Sequence, residues 1–219
     1  MALYTAEGIV DQAMAMVGNT RIETWGLSQL NRILRRVYRS NDWPFLLKND
    51  TSLATAASTA YTSYSSITDF WKPRLVQIQD SSSNLFTIEP IQGGLAKYFS
   101  DTSRLLTTGR PYKYVLDRAN SYLRWADSIP TAVETINLTY QIDEDDEALT
   151  DTPKLVTHTK NGEMYLFWSL LRDMRLYLGE VNEAAIASKM ASQLEDELLS
   201  ERLEDTDALE PENRNDLYV

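Results

Sequence analysis

The 219-residue sequence predicts an α+β protein: an antiparallel four-helix bundle with a β-rich insertion between helices 2 and 3 and an extended C-terminal tail. Three observations predict it. Apolar residues recur at helical spacing toward the two ends of the chain, whereas residues 50–142 are rich in Thr, Ser, Tyr and Val and are broken by repeated turn signals. The last residues are charged and carry no apolar period. The expected divisions are residues 1–45 for helices 1 and 2, 46–150 for the insertion, 151–203 for helices 3 and 4, and 204–219 for the tail.

Ile9, Ala13, Met16 and Val17 define a first helix over residues 5–17, stopped by Gly18-Asn19. Leu27, Leu30, Ile33, Leu34 and Val37 make one apolar stripe over 24–40, which ends before Asn41-Asp42 and the helix-incompatible Trp43-Pro44. Strands are expected at 51–54, 74–80, 85–89, 112–117, 122–125 and 133–142, with a hairpin turn at 117–121. In the last strand Ile136, Leu138, Tyr140 and Ile142 alternate with polar residues, the pattern of a half-buried strand. A short helix over 92–99 is weakened by Gly93-Gly94. Met164, Phe167, Trp168, Leu171, Met174 and Leu178 then give a third helix over 160–178, stopped at Gly179. The fourth, 182–203, carries Ile186, Met190, Leu194 and Leu198 in one i+4 row with Ala187 and Ala191 beside it. Neither helical pair buries its stripe alone, so the two pairs are expected to complete one bundle.

Composition excludes several kinds of chemistry. There is no cysteine, which removes disulfides and thiolate sites, and one histidine, His158, which removes histidine-rich metal sites. No apolar run approaches the roughly 20 residues of a membrane helix, and MALYTAEG lacks both a basic leader and an apolar core, so neither a membrane partner nor export is expected. The net charge of -11 argues against non-specific DNA binding by the chain as a whole. That acidity is concentrated: twelve acidic and three basic residues lie from Glu180 onward.

Three features invite a functional reading. The run QIDEDDEALTDTP holds Asp143, Glu144, Asp145, Asp146, Glu147 and Asp151, but against a calcium loop Ala148 replaces the turn glycine and Lys154 the closing glutamate. A solvated strand-to-helix connection is expected there and no metal. Arg32, Arg35, Arg36 and Arg39 are spaced to share one face of the second helix, a basic ridge that reads either as a solvated face pairing with acidic residues of the same chain or as a contact with nucleic acid or an acidic neighbouring subunit. The tail joins acids to apolar residues, and Leu203, Leu209, Leu217, Tyr218 and Val219 are its candidate anchors on a partner. His158 sits between two threonines with no nucleophile elbow in the chain, so no catalytic residue and no cofactor is expected. Trp43, Phe45, Phe70, Trp71, Trp125 and the Phe167-Trp168 pair read as packing rather than as a base-stacking platform.

In the order and texture of its segments the chain resembles the head-to-tail adaptor (connector) proteins of tailed bacteriophages. LSQLNRILRRVYRSNDWPFL runs into a W-P-x-L turn, and DFWKPRLVQIQD, GRPYKYVL and TINLTYQ follow within the β region. DTPKL then introduces GEMYLFWSLLRDMRLYLGEVNEAAIASKMASQLEDELL. The resemblance spans nearly the whole chain. It implies a non-enzymatic virion neck protein, made in the host cytoplasm, whose copies form a ring, commonly of twelve, under the portal protein. DNA would pass through the ring without sequence-specific binding. It also implies that the C-terminal helix and tail dock on the portal, and that the β region meets tail or nozzle proteins or adjacent subunits. The alternatives from other classes are a carboxylate-dependent metal hydrolase built on residues 143–151 and a nucleic-acid binding module built on the Arg32 to Arg39 ridge.

Overall fold

The computed structural model describes residues 5–18, 23–101, 107–144 and 146–207, the last five through their backbone alone. The chain divides into two compact units. One joins Met1–Leu46 to Glu144–Val219, and the other is Leu47–Asp143.

In the helical unit, α1 spans Ala6–Val17: the Thr5 hydroxyl accepts the Gly8 N–H at its start, and Gly18, at φ 66, closes its end. α2 spans Glu23–Ser40 and buries Leu30, Ile33, Leu34, Val37 and Tyr38. The W-P-x-L turn then caps it. Trp43 is 2% exposed and its Nε1–H donates to the Val37 carbonyl at 2.9 Å, after which Pro44–Leu46 makes one 3-10 turn. The chain returns through a short α4, Lys154–His158, a long α5, Gly162–Tyr177, and α6, Val181–Asp207.

α5 is the centre of this unit, packing against α1, α2, α4 and α6. Gly26 permits the crossing of α1, α2 and α5: a Cβ there would lie 2.9 Å from both Met174 Cε and Val10 Cγ1. Ring contact between Trp25 and Tyr177 at one end, and approach of Arg36 to Tyr165 at the other, set α2 antiparallel to α5. α6 is antiparallel too. The Lys160 N–H donates to Glu201 and Asn161 to Glu197, while three residues join α5 to α6 at the opposite end.

Among its described residues the β unit holds two four-stranded sheets and one helix. The strands are β1 (Leu47–Ala54), β2 (Tyr61–Ser63), β3 (Phe70–Gln79), β4 (Leu85–Thr87), β5 (Glu89–Pro90), β6 (Lys113–Asp117), β7 (Tyr122–Trp125) and β8 (Thr135–Ile142), with α3 at Gly94–Ser100. The first sheet runs β1-β8-β3-β4, wholly antiparallel, and β8 buries Ile136, Leu138, Tyr140 and Ile142 as its alternation predicts. The second runs β2-β7-β6-β5, with β5 parallel to β6. In the β6–β7 turn the Asp117 carboxylate accepts from Asn120 and from Arg124 Nε at 2.7 Å. Those bonds and the Arg124 charge hold it below the usual carboxylate range. Gly93 and Gly94, both at positive φ, make the turn into α3.

An α+β class is therefore right, but the expected four-helix bundle with a single β insertion is not what forms. Among the described residues there are six helices and two sheets of eight strands in all. The DTPKL stretch leads into a separate helix, because the backbone turns extended at Thr159, φ -133 and ψ 151, whose hydroxyl bonds the Leu155 carbonyl at 2.5 Å, and α5 begins afresh at Gly162. α6 packs chiefly on α5 and the 3-10 turn. Ala184, Ala187, Ala191 and, from the predicted apolar row, Leu198 are buried, while Ile186 and Met190 at the head of that row are 65% and 37% exposed. Strand β2, in the Ser/Thr-rich stretch between 54 and 74, has no counterpart in the sequence-based reading. No helix among the described residues is long and apolar enough to cross a membrane.

Candidate docking groove on the helical unit

The four arginines of α2 do not act as one ridge. Arg32 and Arg36, one helical turn apart, line a groove of about 690 Å³ between α2 and α5, which Arg172 enters from the α5 side. Arg35 turns instead toward the acidic connection and pairs with Asp146 at 2.5 Å. Arg39 lies in the last turn of α2, exposed and outside the groove lining.

Aromatic and apolar groups close the groove. The Trp25 and Tyr177 rings meet at a centroid distance of 4.8 Å with 33° between planes, and Leu176 and Ile33 complete the wall. Arg172 is held by Asp173, Nη2 to Oδ1 2.7 Å. Arg32 has no ion pair among the described residues. Burial works against the Arg36 charge, but the Tyr165 hydroxyl and then the Glu195 and Asp173 carboxylates outweigh it, so its pKa lies above the ordinary arginine value. Guanidinium charge thus alternates with flat apolar surface along one groove. Such a surface recognises an acidic chain carrying apolar side chains, since carboxylates take the forks and rings or aliphatic groups take the walls.

One α2 stripe supplies much of this site, and its spacing was readable: Trp25, Gln29, Arg32 and Arg36 follow one another by four, three and four. Arg172 and Tyr177 were not readable. They belong to a distant helix whose register against α2 is set by the crossing at Gly26.

The acidic connection is tied down group by group. Glu144 pairs with Lys154 at 2.6 Å, Asp146 with Arg35, and Asp151 accepts the Ala148 N–H at 2.7 Å. Asn31, only 9% exposed, grips the backbone of Glu147 from both sides: its Oδ1 accepts the Glu147 N–H and its Nδ2 donates to the Glu147 carbonyl, each at 3.0 Å. The Ala6 and Glu7 N–H groups at the start of α1 donate to the Asp151 and Leu149 carbonyls. Burial first, then the Asp151 and Glu144 charges, push the Glu147 carboxyl above its usual range. Among the described residues no three His, Asp or Glu side chains gather into a group that could hold a metal ion, and Asp145 lies outside those residues.

The other sequence candidates are placed as follows. His158 stacks on Phe45 at 4.8 Å and its Nδ1 meets the Lys154 carbonyl and the Thr157 hydroxyl. Trp43 and Trp125 are buried core residues. Leu203 lies in the α6 backbone but its side chain is outside the described set, as are Leu209, Leu217, Tyr218 and Val219 altogether. Compared with protein-family models and with curated proteins, the chain has no match.

Proposed function

We propose that this chain is a structural adaptor of a virion neck, a ring-forming subunit that joins a portal protein to tail or nozzle proteins around a channel crossed by DNA. One observation carries the assembly part of that reading. The helical unit leaves large apolar side chains uncovered where α5 passes into α6: Leu176, Tyr177, Val181 and, one helical turn apart, Ile186 and Met190. Tyr177, Val181 and Ile186 are each more than 60% exposed, and a helix face of this kind is ordinarily covered by another subunit. The virion part rests on the order of segments, from the W-P-x-L turn to the α5–α6 pair, which resembles that of tailed-phage adaptors. A net charge of -11 accords with a lumen that does not grip phosphate.

The test is assembly. The purified chain mixed with its portal is expected to give a ring-sized complex in sedimentation. The double variant Ile186→Asp/Met190→Asp is expected to keep its circular dichroism and melting temperature yet be absent from purified particles. Particles that incorporate this variant at the wild-type level, or a chain that never enters particles, would refute the adaptor reading.

A further inference from the structure

The α2–α5 groove calls for a ligand whose carboxylates are spaced among apolar side chains. The same sequence contains such a segment beyond α6. Residues 208–219 carry Glu210, Glu212 and Asp216 with a single cation, Arg214, and set them among Leu209, Leu217, Tyr218 and Val219. We propose that this segment of one copy seats in the α2–α5 groove of a second copy, its acids on Arg32, Arg36 and Arg172 and its Leu-Tyr-Val against Trp25 and Tyr177. The inference rests on the reading of the chain as a subunit that assembles with itself.

Reach selects a second copy over the same one. The ring end of the groove, Trp25 and Tyr177, lies beside the beginning of α6, and Arg36 lies toward its other end by Tyr165, whereas the segment leaves from the far end of α6. At 1.5 Å per helical residue the two rings stand about 35 Å from the point where the segment leaves. The ten residues from 207 to 217 span at most about 36 Å when fully extended. A chain seating its own Leu-Tyr-Val on those rings would have to be almost fully extended. A neighbour has no such limit. Nucleic acid would also answer three arginines and two rings, but Asp173 stands in the wall, Glu195 acts on Arg36, and the chain carries -11. Carboxylates spaced between apolar anchors fit this groove better than a continuous line of phosphates.

Two full-length variants test it. Arg32→Glu/Arg36→Glu spoils the groove and keeps the segment, while Leu217→Asp/Tyr218→Asp spoils the segment and keeps the groove. In sedimentation velocity the wild-type chain is expected to self-associate, and each variant alone to do so about tenfold more weakly. An equimolar mixture of the two is expected to recover pairing, because it contains one intact groove and one intact segment. A labelled peptide of residues 204–219 should bind the segment variant and not the groove variant, by fluorescence anisotropy. Circular dichroism of both, and the milder Arg32→Gln/Arg36→Gln, guard against loss of fold. A mixture that fails to pair and a peptide that fails to bind overturn the proposal. So does a single-stranded oligonucleotide that binds the segment variant, loses affinity in the groove variant and displaces the peptide, since the groove then belongs to nucleic acid. Pairing without incorporation into particles would sink the adaptor reading and leave this inference standing. Incorporation of both variants without pairing would do the reverse.

Discussion

Asn31 offers the sharpest test of how the acidic connection is held. Replacing it by alanine removes the acceptor of the Glu147 N–H and the donor to the Glu147 carbonyl, both at 3.0 Å. Each such bond contributes about 0.5–1.5 kcal/mol net. Glu147 is half-buried, so its freed backbone groups regain water only in part, and the total loss is about 2 kcal/mol. In urea, with a slope of about 2 kcal/mol per molar, the midpoint should fall by about 1 M, followed by circular dichroism at 222 nm. The comparison with Asn31→Asp separates hydrogen bonding from packing. Aspartate keeps an acceptor for the N–H but offers no donor to the carbonyl, and it adds a charge beside a carboxyl that Asp151 and Glu144 already disfavour. At pH 7 Asn31→Asp should therefore be less stable than Asn31→Ala. At acid pH, where a protonated aspartate can donate, the order should invert. A midpoint within about 0.2 M of wild type for Asn31→Ala would show that the clamp contributes nothing.

Glu147→Gln should raise the melting temperature at pH 7. Because the folded pKa of Glu147 lies above its unfolded value, the protonated form stabilises the fold at low pH and that contribution is lost as pH rises through the folded pKa. The advantage of glutamine should accordingly shrink on acidification, and equal melting at pH 7 would refute the assignment. Gly162→Ala should destabilise the helical unit by about 1–3 kcal/mol, since overpacking at this site cannot be relieved by a rotamer change. The new Cβ would sit 2.3 Å from the Leu155 carbonyl oxygen and 2.5 Å from Thr159 Oγ1. A thermal melt unchanged from wild type would mean that the α4–α5 junction yields.

Local pattern located most elements and failed where the neighbour decides. The stripe Leu30, Ile33, Leu34 and Val37 is buried in α2, and the alternation of Ile136, Leu138 and Tyr140 is buried in β8, because each pattern contains its own period. In α6 two faces competed. The predicted row Ile186, Met190, Leu194 and Leu198 divides: Ile186 and Met190 stay exposed, Leu198 is buried, and Ala184, Ala187 and Ala191 are buried ahead of it, since small side chains let two backbones approach closely. Periodicity identifies a face without naming its occupant. The candidate site divides in the same way: the α2 half follows from spacing within one helix, whereas Arg172 and Tyr177 join it through a crossing between segments far apart in sequence. The acidic run likewise reads as a solvated junction until Asn31, 116 positions upstream of Glu147, is seen to grip it.

The pairing of β1 with β8 bears on how the chain reaches its fold. Leu47 and Gln141, near the two ends of the β unit, are partners in one antiparallel ladder. Without that ladder, bringing residues 46 and 144 together would mean closing a loop of roughly a hundred residues, an entropic cost of about 4 kcal/mol. Once β1 and β8 have zipped, the two halves of the helical sequence behave kinetically as if joined by a short linker. α1 and α2 then meet α5 as local partners, although more than a hundred positions separate them in the chain. The order of synthesis fits this arrangement, since β8 leaves the ribosome before α5 and the linker is shortened before the helix that needs it has been made.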